Sequence, residues 1–224
     1  MIKKKAGLFI AILVVIIVVL GFVILLGSQS NPGAVPGVKE GDEFIYDIKG
    51  SWSSDDPEVT FPESFSQLNM TDWYKITVME VSGSEVTIEA IWRFTNGTEF
   101  TGTGTVNVET GIYNPTEGFW AIYGANLRIN DRIRPLGPDR STINETITTN
   151  YGGGSTRETN RVLLVREYYD ADDPASTLIE YININFDKNT GMLVELLDMS
   201  VYNNPEQTLI ILWKLRESNV WDVS

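Results

Sequence analysis

The side chains in this chain best able to do chemistry are oxygen donors. Thirty Asp and Glu stand against 17 Lys and Arg, with no histidine and no cysteine in 224 residues. Their densest cluster is Asp170-Ala171-Asp172-Asp173, directly after Tyr168-Tyr169. Hard carboxylate oxygens gathered on a turn are what calcium selects, so Asp170, Asp172 and Asp173 are the candidate metal ligands. The run has neither the glycine nor the distal glutamate of an EF-hand loop, and it reads equally as a solvated hairpin loop ended by Pro174. Asp55-Asp56-Pro57-Glu58 reads as solvated loop. Paired carboxylates could hydrolyse glycosides if two stood about 5 to 10 Å apart across a cleft, but among thirty acids such pairs arise by chance. Absent residue types exclude more. Without His or Cys there is no Ser-His-Asp or Cys-His nucleophile, and no usual zinc, haem or blue-copper ligand set. Gly152-Gly153-Gly154-Ser155 lacks the lysine of a phosphate loop and reads as a flexible turn. No catalytic residue and no cofactor is expected.

Two further groups are candidates for modification or binding. Asn69, Asn96 and Asn144 each open an N-x-Thr sequon, the acceptor for glycosylation outside the cell. Asn96, at a hairpin tip, is the best placed. Glu99–Val108 alternates, and Gly102 and Gly104 interrupt its apolar face. Glycine in a strand marks a bulge or a close approach by another group. Either an aromatic such as Trp92 covers the two glycines, or Trp92, Gly102 and Gly104 floor a ligand groove. Phe119-Trp120 with Tyr123, and Tyr168-Tyr169, stand next to turns, where exposed rings would stack on sugars or meet a bilayer and buried ones would be core.

The elements that must carry these residues are strands. From Val38 the pattern has period 2, clearest where Val86, Ile88, Ala90, Trp92 and Phe94 share one face. Tyr74–Glu80 precedes that strand across Ser82-Gly83-Ser84, and Glu99–Val108 follows it across Asn96-Gly97, which predicts a three-stranded meander. Further strands are predicted at Ser141–Tyr151, Arg157–Tyr169, Leu178–Phe186 and Met192–Tyr202, then Gln207–Arg216. In the last, Leu209, Ile211, Trp213 and Leu215 form one face while Ile210 and Leu212 add apolar bulk to the other, so an interior strand covered on both sides is expected. A helix is hinted at Pro62–Asn69, with proline suited to a first turn. Val38–Phe44 and Leu127–Ile133 echo each other. Both carry Gly or Asn before Asp, residues suited to the left-handed turn that launches a strand.

The domain organisation follows from the other end of the hydropathy scale. Residues 1–7 hold Lys3, Lys4 and Lys5, and the 19 residues Leu8–Leu26 carry no charge or hydrogen-bonding side chain. A helix of that length rises roughly 28 Å, matching the ~30 Å hydrocarbon core of a bilayer. The basic flank predicts an N-in, C-out single pass, with the bulk of the chain extracytoplasmic. Two alternatives remain: a cleaved secretory signal cut after Ser30, or an archaeal prepilin leader with Lys-Ala-Gly before the apolar run. Residues 27–37 are Gly, Pro and Ser rich and read as a tether with a reach on the order of 18 Å. Residues 38–224 remain for one β domain. With three of the 17 basic residues at the N-terminus, the outer part sets 14 against 30 acids, a formal charge of −16. Such a surface repels nucleic acid and suits solubility or cations.

The phrases Gly124–Ile133, Ile143-Asn-Glu-Thr146, Thr156–Asn160 and Phe186–Val194 resemble stretches of uncharacterised archaeal membrane-anchored proteins with large extracytoplasmic β domains, over about residues 38–216. The Asp187-Lys-Asn-Thr-Gly191 hairpin is similar to those of curved-sheet lipoprotein carriers of the LolA kind. The resemblance implies a membrane-tethered β domain and brings no catalytic motif. The expected fold is all-β with one transmembrane helix, an antiparallel meander forming a sandwich or a strongly curved half-barrel. The expected function is an envelope binding or scaffolding module with affinity for another surface protein or a glycan. The alternative is a carrier of a lipid or other apolar ligand in a concave sheet, expected to show an apolar cavity beside Gly102 and Gly104.

Overall fold

The structure, a computed structural model, describes residues 33–58, 63–115, 119–169, 177–203 and 206–223. The expected span 8–26 and the expected metal ligands Asp170, Asp172 and Asp173 lie outside these residues. The chain divides into two units at Gly33, and the second, Ala34–Ser224, holds the elements below. No helix among the described residues is long and apolar enough to cross a membrane.

The second unit is all-β and antiparallel, as the period-2 pattern predicts. Its strands are β1 (Glu43–Ser54), β2 (Thr71–Ser82), β3 (Glu85–Phe94), β4 (Glu99–Asn107), β5 (Tyr113–Pro115), β6 (Glu145–Asn150), β7 (Thr156–Tyr169), β8 (Thr177–Asp187), β9 (Leu193–Asn203) and β10 (Glu206–Ser218). They form one unclosed sheet in the order β5-β4-β3-β2-β1-β10-β9-β8-β7-β6. Two five-stranded meanders thus meet where the first strand pairs the last, over eleven paired residues from Phe44↔Ser218 to Ser54↔Gln207. β10 is interior, as expected. The one α-helix among the described residues, α1 (Glu63–Asn69), seats Phe65 against Gly50 of β1, and Asn69 Oδ1 accepts the Gly50 N–H at 2.9 Å.

One face of the sheet, here the inner face, is covered by the irregular segment 119–144. Phe119, Ala121, Ile122, Tyr123, Leu127, Ile133 and Ile143 of that segment are each at most 8% exposed, packed on inner-face residues such as Phe44, Tyr46, Ile76, Val86, Val162 and Ile184. An irregular segment is buried only when its backbone polar groups find partners. Here Tyr123 N–H donates to Gly191 O at 2.9 Å, Ala125 to Val35 O at 2.8 Å and Asn126 to Lys188 O at 2.7 Å, while Ala121 O accepts from Leu193 at 3.2 Å.

The echoed sequences build the same turn twice. Gly41 and Asn130 both have positive φ, 85° and 70°. Asp42 Oδ2 accepts the Lys39 N–H at 3.0 Å, and Asp131 Oδ2 accepts that of Arg128 at 2.7 Å. Each turn then exchanges two backbone bonds with a buried aliphatic, Val78 for the first and Ile143 for the second. The outcomes differ, because the first launches β1 while the second continues only into the isolated bridge Arg132↔Thr142. This accounts for a shortened strand. The pattern over Ser141–Tyr151 yields regular structure only at Glu145–Asn150, since Ile143, fully buried, is drawn to the Asn130 turn instead of the β7 ladder.

The outer face differs between the two halves. On β2 to β4 its positions hold Lys75, Thr77, Thr87, Glu89, Thr103 and Thr105, the polar pattern of a solvated face. On β7 to β10 they hold mostly aliphatic residues. There the expectation that β10 is covered on both sides departs from the structure, because Ile210 and Leu212 are only part-buried and neither belongs to the core or packs against it.

Candidate functional site

A cavity of about 390 Å³ lies between the inner face of β7 to β9 and the covering segment. Strand parity makes its floor. Leu164 is registered opposite Ile182 and Val162 opposite Ile184, and Ile184 opposite Leu196, so alternate residues of three strands present aliphatic side chains to one side. Trp120, Tyr123 and Ile133 of the covering segment form the facing wall. A second, 50 Å³ recess shares Trp120 and Leu196 and runs toward Phe119 and Trp213. Trp213, Phe119, Tyr46 and Tyr74 interlock there at ring separations of 5.1 to 6.3 Å.

Five charged residues line the cavity, and their states differ. Arg134 is 5% exposed: its guanidinium donates to the carbonyls of Trp120 at 2.8 Å, Ile122 and Val108, and lies 4.4 Å over the Tyr123 ring. Burial holds its pKa below the ordinary value. It therefore acts as a clamp that closes the covering segment. Asp139 Oδ1 accepts from the Ser141 N–H at 2.9 Å and hydroxyl at 2.6 Å. Arg166 pairs with Glu180 at 3.2 Å, and the Tyr168 hydroxyl donates to the same Glu180 oxygen at 3.3 Å. Asp198 stands apart. Its Oδ1 is buried without a hydrogen-bond partner, and burial, then the neighbouring Glu180, pushes its pKa up. The Tyr123 hydroxyl is likewise buried and unpartnered, with its pKa raised by burial.

An aliphatic floor with polar groups gathered along one side accommodates a molecule that has an apolar body and a polar end. Glu180 and Asp198 share the wall, but Arg166 and Tyr168 already engage one Glu180 oxygen, so the two carboxylates are not equivalent partners across an open cleft.

The residues singled out in the sequence fall elsewhere. Trp92, Gly102 and Gly104 lie on the inner face of the opposite wing, where Trp92 is registered opposite Phe100, Ala90 opposite Gly102 and Ile88 opposite Gly104. Trp92 stacks on Phe94 at 5.0 Å and donates Nε1–H to Thr71 Oγ1 at 2.8 Å. None of the three lines the cavity. Asn69, Asn96 and Asn144 are all exposed, and Asn96 occupies the β3–β4 turn as expected, its Oδ1 accepting the Thr98 N–H at 2.9 Å. Phe119 and Tyr123 are core, whereas Tyr168 and Tyr169 are exposed. The cavity residues Leu164, Ile182 and Leu196 carried a sequence signal only as ordinary strand alternation. Asp198, on the same parity as Leu196, and Glu180, on the same parity as Ile182, were visible departures from it. No family model matches this chain, and no curated protein matches it.

Proposed function

We propose that this chain is a membrane-tethered, extracytoplasmic binding module that holds a lipid or another ligand with an apolar body in the cavity beneath β7 to β9. The cavity and its aliphatic floor carry this reading. The unclosed sheet is in keeping with a curved half-barrel: the fully buried Tyr46 on β1 donates its hydroxyl to Leu193 O at the start of β9, two strands away, at 2.9 Å. A short Gly/Pro tether behind an apolar 19-residue segment would keep the domain near a source of such ligands. The resemblance to curved-sheet carriers points the same way. A second reading, affinity for another protein of the envelope, is favoured by the apolar outer face of β7 to β10.

The test is photo-crosslinking of the full chain in its membrane with a photoactivatable fatty acid. Adducts are expected on peptides containing Leu164, Ile182 or Leu196, and Leu164→Trp, which fills the floor, is expected to abolish them. Adducts confined to residues 8–26, or unchanged in Leu164→Trp, would overturn the reading.

A further inference from the structure

The outer face of β7 to β10 is a regular apolar grid. Its middle row, read across the ladder, is Val165, Tyr181, Met199 and Ile210. The row on one side is Leu163, Asn183, Leu197 and Leu212, and on the other Glu167, Ile179, Val201 and Thr208. Nine of these twelve residues are apolar, and only Glu167 is charged, on a unit that is otherwise strongly acidic. None of the nine belongs to the core or packs against it, and Leu163, Val165 and Tyr181 are 49%, 67% and 39% exposed. Beyond the grid lie Arg161, Asn185, Glu195 and Lys214 on one side and the exposed Tyr169 with Thr177, Asn203 and Glu206 on the other.

We infer that two copies of this chain pair face to face through the outer surfaces of β7 to β10, about a two-fold axis running along the strands between β8 and β9. Two observations select a second copy over another occupant. The first is self-complementarity. That axis sets Tyr181 of one copy over Met199 of the other, Val165 over Ile210, Leu163 over Leu212 and Ile179 over Val201, and Glu167 meets Thr208, so no like charges oppose within the grid, which covers roughly 390 Å² at about 4.8 Å between strands and 6.7 Å between same-face residues. The flanking row, where Arg161 comes over Lys214, bounds the contact. The second is the position of the tether. Val35 and Gly37 are held by Ala125 and Thr190, at the end of the sheet where β9 begins, and an axis along the strands keeps that end of both copies on one side. Two chains anchored in one membrane meet that condition. The pair is a sandwich of two sheets about 10 Å apart in aligned packing. It supplies the cover for Ile210 and Leu212 that the amino-acid pattern of β10 calls for.

The chain has no cysteine, so a single introduced thiol reports without background. In membranes carrying the full chain, Tyr181→Cys treated with a short bismaleimide is expected to give a dimer. Thr105→Cys, exposed on the outer face of the other wing, is expected to stay monomeric. Adding Ile210→Glu to Tyr181→Cys should remove the dimer while leaving the near-ultraviolet dichroism of a folded domain, since Ile210 is outside the core. A monomeric Tyr181→Cys, equal dimer from both thiols, cross-linking to a different protein, or a dimer that persists with Ile210→Glu would each overturn the pairing. The cavity is on the opposite face, so ligand adducts at Leu164 are read separately.

Discussion

At the scale of single residues, the best-held charge is Asp187, fully buried at the end of β8. It accepts two bonds from Arg157 at 2.6 and 3.0 Å, and its Oδ1 also takes the Thr190 N–H and hydroxyl, each at 2.8 Å. Arg157 in turn lies 4.3 Å over the Trp221 ring. Asp187→Ala would leave a partly buried guanidinium without its carboxylate and unpin the hairpin, and should lower stability by about 3 kcal/mol in urea titration. Asp198 has the opposite sign. Its folded pKa lies above the unfolded one, so stability is complete below the unfolded value of about 3.9 and is lost as pH rises through the folded value. Asp198→Asn is therefore expected to melt higher than the parent at pH 7 and equally at pH 3, by calorimetry at both. An aspartate placed where it costs stability reads as a binding group rather than a structural one.

At the scale of elements, strand alternation carried most of the information. β3 and β4 match their predicted spans nearly residue for residue, because one face of each meets the core and the period-2 signal is strong. The left-handed turns were legible from Gly41 and Asn130 alone. Segment 119–144 was not, since its burial depends on carbonyl and guanidinium partners distant in sequence. The turn from β8 to β9 links the two kinds of element: Gly191, at φ 76°, lies where a Cβ would strike the Tyr123 carbonyl. Gly191→Ala would push the covering segment off the sheet as well as strain the turn. It should cost more than ~1 kcal/mol, read as a lower denaturation midpoint.

At the scale of the whole molecule, three tyrosines tie sheet, cover and C-terminal strands into one cooperative core. Burial, the largest cause in each, raises the pKa of Tyr46 and Tyr123 and takes Tyr151 up to about 12. Their contribution is intact below the unfolded phenol value of about 10 and is lost as pH climbs through the folded values. The phenolate absorbance of the buried tyrosines should therefore appear only together with the loss of near-ultraviolet dichroism, above about pH 10. Dichroism retained after all nine tyrosines had ionised would contradict a single core.

The amino-acid order by itself determined the class of fold, the acidic character of residues 38–224, the absence of thiol and imidazole chemistry, and the strand pattern of β10 with its apolar residues on both faces. These are local properties, set by side-chain type and by the two-residue repeat of a strand. Which wing of the sheet holds the cavity, which aromatic rings are core, and that the apolar outer face of β7 to β10 lies outside the core were decided only in three dimensions. Each depends on where segment 119–144 crosses the sheet. That path is fixed by Arg134, Gly191 and backbone carbonyls that no periodicity brings together.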